Sequence, residues 1–374
     1  MNEKLYQIAL TLLKGVSVSN AKKLLDCTHT AQQLFSLSKQ ALQDITGLEN
    51  THVTTLYNQF DWALQQAEKE LLFCTKYHIT PLFYTDNAYP QRLLECEDAP
   101  IMLYQKGNTD LNNGKFVSIV GTRMATDYGK TACQQLVKGL ADNVENCIIV
   151  SGLAYGIDIA AHKAALDCNI PTIGVMASGL NSIYPSAHRN TAIQMLKQGS
   201  LLTEQPYMDN SLKYHFIKRN RIIAGMADAV VVVESAAKGG AMVTANIANT
   251  YNKDVFVFPG RCNDKTSAGC NALIKHNKAM LIENAADLME IMGWQNKAKK
   301  QAKQAIQQNT DRYQNLSAVE LQIVKAIEQE HFPHVDTLSA KLNIKVNDLL
   351  AMLLMLEFQN IVVCLPGNRY KLQA

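Results

Sequence analysis

With 374 residues, 47% of them hydrophobic, the chain has enough apolar material for two or three domains and is not disordered as a whole. A net charge of +3 excludes a histone-like polycation, so any affinity for nucleic acid has to come from a local patch. The nine cysteines form no C-x-x-C pair and stand at no metal-ligand spacing with histidine; with no signal-peptide pattern and no apolar run near the ~18 residues of a membrane span, the expectation is a cytoplasmic protein with reduced thiols, no metal, no cofactor and no membrane.

Residues 1–70 place apolar residues at helical spacing in LYQIALTLL, NAKKLLD and AQQLFSLSKQALQDI, which predicts a helical domain. KGVS (14–17) and TGLE (46–49) stand where a helix-hairpin-helix (SAM-like) domain offers glycine amides to DNA phosphates, but each lacks the usual second glycine. A protein-contact or structural role is favoured there over DNA binding.

A second domain is expected over 71–293. Its first part, to about residue 114, reads as two strand-like pieces around a Tyr-Pro turn and a brief helix, with Pro81, Pro90 and Pro100 at the joints. From Phe116 onward FVSIV, CIIVS, IPTIGVM, SLLTE, DAVVVVE, DVFVFP and AMLIE alternate with helical stretches, which predicts an α/β fold: an extended, Rossmann-like, doubly wound and mostly parallel sheet. Glycine-bearing turns follow five of these strands, at GTR (121–123), GLAYG (152–156), SGLN (178–181), KGG (238–240) and PGR (259–261). In such sheets ligands bind outside the carboxyl ends of the strands, where helix N-termini point, so the turns are expected to line one polyanion-binding edge.

The densest chemistry lies at 213–244. No acid occurs from Asn210 to Ala227, while Lys213, Lys218, Arg219 and Arg221 crowd around Tyr214, His215 and Phe216, a mixture that suits a phosphate chain with exposed bases. The strand AVVVVES follows, then KGGAMVTAN, where Gly239 and Gly240 open a helix. There is no G-x-G-x-x-G fingerprint, and Gly129-Lys130-Thr131 is not a P-loop because Met124 stands where its first glycine belongs. Asp158 and His162, four apart on one helix face, read as a local hydrogen bond or cap rather than a catalytic pair.

Residues 294–312 are expected to be a linker: QNKAKKQAKQAIQQNT carries four lysines, five glutamines and no acid. Beyond it, 313–374 predicts three amphipathic helices and a hairpin around Pro-Gly-Asn, a winged helix. Its third helix is rich in Leu and Met and has no cation after Lys345, which favours protein contact or weak DNA binding over base reading.

VGTRMATDYG, IIVSGLAYGIDIAAHKAAL, GLNSIYPSAHR, FIKRNRIIAGMADAVVVVES, KGGAMVTAN and VFVFPG together resemble, in order and spacing, the DNA-processing protein A (DprA/Smf) family. The resemblance covers nearly the whole chain. It implies a non-enzymatic, homodimeric protein that binds single-stranded DNA, protects incoming strands and loads RecA recombinase during natural transformation and homologous recombination. It further implies phosphate contacts from Arg123 and from the RNR signature Arg219, Asn220 and Arg221, with a cation at Lys213 and a stacking ring at Phe216. With the glycine turns, the expected DNA-binding set is Gly121, Arg123, Gly152, Gly156, Gly179, Arg189, Lys213, Phe216, Arg219, Asn220, Arg221, Lys238, Gly239, Gly240 and Thr244, with no catalytic residue. Two positions depart from the family: Ser186 stands where many members have lysine, with Arg189 near enough to compensate, and KSGS reads KGGA, which loses a serine at Gly239.

If Arg123, Lys213, Arg219 and Arg221 each neutralise one phosphate, the single-strand salt slope is about −3. Alanine at Arg123 or Arg219 is expected to weaken binding without unfolding the chain. Two other classes remain in view. A nucleotide phosphoribohydrolase of similar fold needs a glutamate in its glycine motif, yet no acid occurs from Ser235 to Lys253. A nucleotide-sensing regulator with a winged-helix output would prefer a mononucleotide to an oligonucleotide.

Overall fold

The computed structural model describes residues 3–46, 49–209, 212–294, 316–330, 333–359 and 361–373. They fall into two compact units divided between Lys297 and Ala298. The linker-like run 295–310 lies outside the described residues.

The larger unit opens with α1 (Glu3–Leu12), α2 (Val18–Thr28), α3 (Ala31–Ser36), α4 (Lys39–Thr46), α5 (Asn50–Tyr57) and α6 (Phe60–Lys76). Their apolar faces, with Ile8, Leu10, Leu34, Leu42 and Val53 fully buried, share one core with Phe83, Ile101, Met102 and Tyr104 from the strands that follow. The first hairpin candidate is a helix start: the Ser17 side chain caps α2 by accepting from the Asn20 amide at 3.1 Å. Lys14 N already donates to Gln59 Oε1 at 2.8 Å. In the second candidate, TGLE, residues 47 and 48 lie outside the described residues.

Next come β1 (Thr80–Phe83), α7 (Gln91–Leu94), β2 (Met102–Gly107), β3 (Lys115–Val120), α8 (Asp127–Asn143), β4 (Cys147–Ser151), α9 (Ile157–Asp167), β5 (Thr172–Val175), a 3-10 turn at Ser186–His188, α10 (Arg189–Gln198) and β6 (Ser200–Thr203). The unit closes with α11 (Leu212–Gly225), β7 (Ala229–Val232), α12 (Gly240–Thr250), β8 (Asp254–Val257), α13 (Ala268–Lys275), β9 (Met280–Leu281) and α14 (Ala285–Ile291). The strands form one sheet in the order β1-β2-β6-β5-β4-β3-β7-β8-β9. All pairs from β6 to β9 are parallel, whereas β2 is antiparallel to both β1 and β6, so the extension joins the far edge and not the centre.

The central strands are buried on both faces, which is why they read as continuous Val/Ile runs. One face packs on α11 and α12 through Ile222, Ile223, Ala241 and Ala245; the other packs on α8, α9 and α14 through Leu136, Ala161 and Leu288. Winding runs outward from β3 through β4, β5 and β6 on one side and from β7 through β8 and β9 on the other. The crevice between β3 and β7, paired Val117↔Ala229 through Val120↔Val232, is therefore the topological switch point.

The smaller unit holds α15 (Ala318–Gln329), α16 (Val335–Leu342), α17 (Val346–Phe358) and the antiparallel hairpin β10 (Val362–Leu365) and β11 (Arg369–Leu372). Ile323, Leu338, Leu349, Leu353, Leu356 and Val362 make its core, the expected winged helix. On the other side of α17, Leu354, Met355 and Phe358 are exposed.

Candidate nucleic-acid interface

Backbone ties between loops hold the switch-point crevice open. Glu234, at the end of β7, is buried; its carbonyl accepts from Thr122 N at 2.7 Å and its carboxylate from Thr126 N at 2.9 Å, which couples the β3–α8 turn to the β7–α12 turn. Gly156, at φ 78°, lets the β4–α9 turn approach the same loop, where a Cβ would sit 2.1 Å from Thr122 O. Arg123 is thereby held at the rim. It is exposed, and its guanidinium lies 5.3 Å from the centre of the Phe216 ring.

α11 supplies the wall. Phe216, Arg219, Asn220 and Ile223, at i, i+3, i+4 and i+7, share one face and line a groove of about 350 Å³ with Gly121, Arg123, Asp158, Lys238, Gly239, Gly240 and Thr244. A smaller cavity of about 80 Å³ adjoins it and shares Arg123, Ala154, Phe216 and Arg219; its remaining lining includes Gly152, Tyr155, Ser178 and Tyr184. Among the described residues, Arg123 and Lys238 form no ion pair.

The buried cation is Arg219. Its guanidinium donates to Gly152 O and, at 2.6 Å, to Val175 O, so it joins the ends of β4 and β5. Burial lowers its pKa to about 10 against the support of Asp158, with Arg123 opposing in the same sense as burial. Asp158 is itself raised by burial, opposed by Arg219 and by the Ala154 amide. Gly152 is required here, because a Cβ would sit 2.6 Å from the Arg219 guanidinium carbon and 2.7 Å from the Asp158 carboxylate. Of the local hydrogen bond or cap expected of Asp158 and His162, Asp158 accepts from Ala154 N at 3.4 Å, whereas His162 turns to a partner on the sheet. His162 hydrogen-bonds Thr172 Oγ1 in β5 at 2.7 Å, and burial, with His188 and Arg219 nearby, holds its pKa down at about 3.

Ten of the fifteen expected residues thus meet at one edge: Gly121, Arg123, Gly152, Phe216, Arg219, Asn220, Lys238, Gly239, Gly240 and Thr244. The others stand apart. Gly156 supports the Arg123 turn from behind, and Gly179 packs on the Pro206–Tyr207 backbone. Arg189 is exposed at the start of α10 and lines neither cavity. Arg221 faces a different cleft, where it pairs with Glu204 and donates to Asp98 O. The side chain of Lys213 lies outside the described residues. Tyr155, Tyr184, Asp158 and Ser178 lie outside the expected residue set, although Tyr155 and Ser178 belong to two of the expected turns; the tyrosines' signal is an aromatic residue in, or just after, a glycine turn at a strand's carboxyl end.

The fold and crevice define a doubly wound α/β protein with a cation-rimmed, glycine-lined groove at its switch point and a separate winged helix. Residues 80–293 match the DNA recombination-mediator protein A family and residues 307–368 match the DprA winged helix domain; the chain belongs to that family. It is 34% identical to DNA processing protein DprA of Streptococcus pneumoniae over 76% of this chain and 96% of the relative, and 34% identical to that of Bacillus subtilis over 70% and 86%. The structure of the Streptococcus pneumoniae protein superposes with a TM-score of 0.65 at 32% identity, covering 78% of this chain and 98% of that one. A structure of DNA processing protein A from Helicobacter pylori, described in terms of that protein's single-stranded DNA binding mode, superposes with a TM-score of 0.52 at 32% identity over 58% and 96%.

Proposed function

We propose that this chain binds single-stranded DNA, without catalysis, in the groove between β3 and β7. As a cytoplasmic homodimer, it protects incoming strands and helps place RecA recombinase on them in natural transformation and homologous recombination. The observation that carries this reading is the convergence of Arg123, Phe216 and Lys238 with the Gly239-Gly240 turn at the switch point. Cations set along the groove hold phosphates, a ring offers a stacking face, and the backbone amides of a helix start favour an anion; none of this needs a nucleophile. The Helicobacter pylori relative, described as binding single-stranded DNA, supports the ligand class.

We assign binding to the sheet domain, 71–293, rather than to the helical domain 1–70 or the winged helix 313–374. In the helical part the Lys14 amide is already taken by Gln59, and in the winged helix the exposed face of α17 is apolar.

Substituting Arg123→Ala and Lys238→Ala, alone and together, tests the groove. Each is expected to weaken single-strand binding and to flatten the salt slope by about 0.7 per lost phosphate contact. The wild type is expected to speed RecA filament formation on a strand coated with single-strand-binding protein, and the double variant to lose that effect. Unchanged binding in the double variant would remove the groove from the account, and tight binding of a mononucleotide in preference to an oligonucleotide would favour a nucleotide-sensing regulator.

A further inference from the structure

We infer that Arg221 is a positioning residue: with Glu204, Asp98 and Tyr251 it forms a clamp behind α11 that fixes how Phe216, Arg219 and Asn220 face the groove, without itself touching the strand. This rests on the reading of the β3–β7 groove as a single-strand site. The Arg221 guanidinium pairs with Glu204, the residue that follows β6, donates to Asp98 O at 2.5 Å and lies 3.9 Å from the Asp98 carboxylate. Two carboxylates against one guanidinium leave no positive charge to offer a phosphate, and Arg221 lines neither groove cavity. The Arg221 and Glu204 side chains are only 12% and 17% exposed, so water and salt screen the pair weakly.

The clamp reaches both helices that bound the groove. The Asp98 carboxylate also accepts from the hydroxyl of Tyr251, at the carboxyl end of α12, while on the groove side Asn220 Nδ2 donates to Gly240 O, at the start of α12, at 3.4 Å. Arg219, two residues before Arg221, points the other way and donates to Gly152 O and Val175 O. Rotation of α11 about its axis is thus opposed from both sides. The connection that carries Glu204 is docked in turn on the helical domain: Tyr207 N donates to the Glu70 carboxylate, and the Tyr207 ring stacks on Phe73 at 4.2 Å between ring centres. A ring and a cation already held in place lose less freedom when a strand binds.

The test is fluorescence anisotropy of the full chain with a labelled single strand across a salt series. Glu204→Ala removes an acid near a cationic groove, so charge alone would tighten binding. Loss of the clamp should instead weaken it on the order of tenfold, with the salt slope unchanged because no phosphate contact is lost. Arg221→Ala should weaken binding as much, the double variant no further, and Arg221→Lys should recover part of the loss. Lys4→Ala breaks another partly buried ion pair of the same unit, with Asp86 at 2.5 Å, and should lower the melting temperature while binding stays at the wild-type level. Unchanged or tighter binding by Glu204→Ala, a flattened slope in Arg221→Ala, additive losses in the double variant, or an equal loss in Lys4→Ala would overturn the clamp. A wild type that binds no single strand, or unchanged binding when Arg123 and Lys238 are both alanine, would overturn the groove instead. Melting curves set the assay temperature below the unfolding of every variant; if Arg221→Ala does not fold, Glu204→Ala, Arg221→Lys and Lys4→Ala carry the test.

Discussion

Arg219 carries a charge into the sheet's carboxyl edge, and its neighbours decide what its removal does. With the guanidinium gone, Asp158 is left buried without its cation and the Gly152 and Val175 carbonyls lose their donor. Arg219→Ala is therefore expected to destabilise the larger unit by about 3–5 kcal/mol, read by chemical denaturation, which corrects the sequence-based expectation that it would leave folding untouched. Arg219→Lys should lose less, because it keeps the charge but cannot bridge both carbonyls.

Glu70 offers a second residue-level test. It is buried on α6, accepts from Tyr207 N with both oxygens at 3.0 and 3.1 Å, and lies near Cys74 and Tyr104; burial raises its pKa from 4.5 to about 7. A carboxyl raised in the fold is neutral in both states below about pH 4.5 and destabilises the fold as pH rises through about 7. Glu70→Gln keeps an acceptor for Tyr207, so it should raise the melting temperature at pH 8 and change it little at pH 4.5. A shift of equal size at both would contradict the burial argument.

At the scale of elements, the turn between β7 and α12 holds one of the two departures that the family resemblance implies, and the structure leaves room there. Gly239 is in extended backbone at φ 165°, and an added Cβ would meet nothing nearer than Ser235 Oγ at 3.9 Å. Gly239→Ser should fold normally and tighten single-strand binding severalfold, the worth of about one hydrogen bond. Weaker binding would mean that the turn's amides need the glycine.

The β7–α12 turn also marks what was legible. Buried parallel strands announce themselves as Val/Ile runs and their connections as glycines, so the sheet, its winding and most of the groove could be placed from the sequence. α11 was harder. Arg219 and Arg221 look like one signature, but residues two apart on a helix point about 200° from each other, so one faces the groove and the other Glu204. A helical projection of 213–223 would have separated them. The partners of Arg219 and His162 come from β4 and β5, more than forty residues and ten residues away, and no local pattern encodes them.

For the whole molecule, binding strength follows from how many cations face one edge, since the net charge of +3 supplies little long-range attraction. Of the four cations counted from the sequence, Arg221 faces Glu204 and the Lys213 side chain lies outside the described residues; counting the three that line the groove, Arg123, Arg219 and Lys238, gives an expected single-strand slope of about −2 in place of about −3, or on the order of 20-fold weaker binding between 50 and 200 mM salt.

The most direct test is fluorescence anisotropy of the full chain with a labelled single strand and its matching duplex from 50 to 300 mM salt. Tight binding that prefers the single strand and falls with a slope near −2 is expected. Equal or stronger binding to the duplex, or no dependence on salt, would contradict it and move the nucleic-acid site away from the β3–β7 crevice.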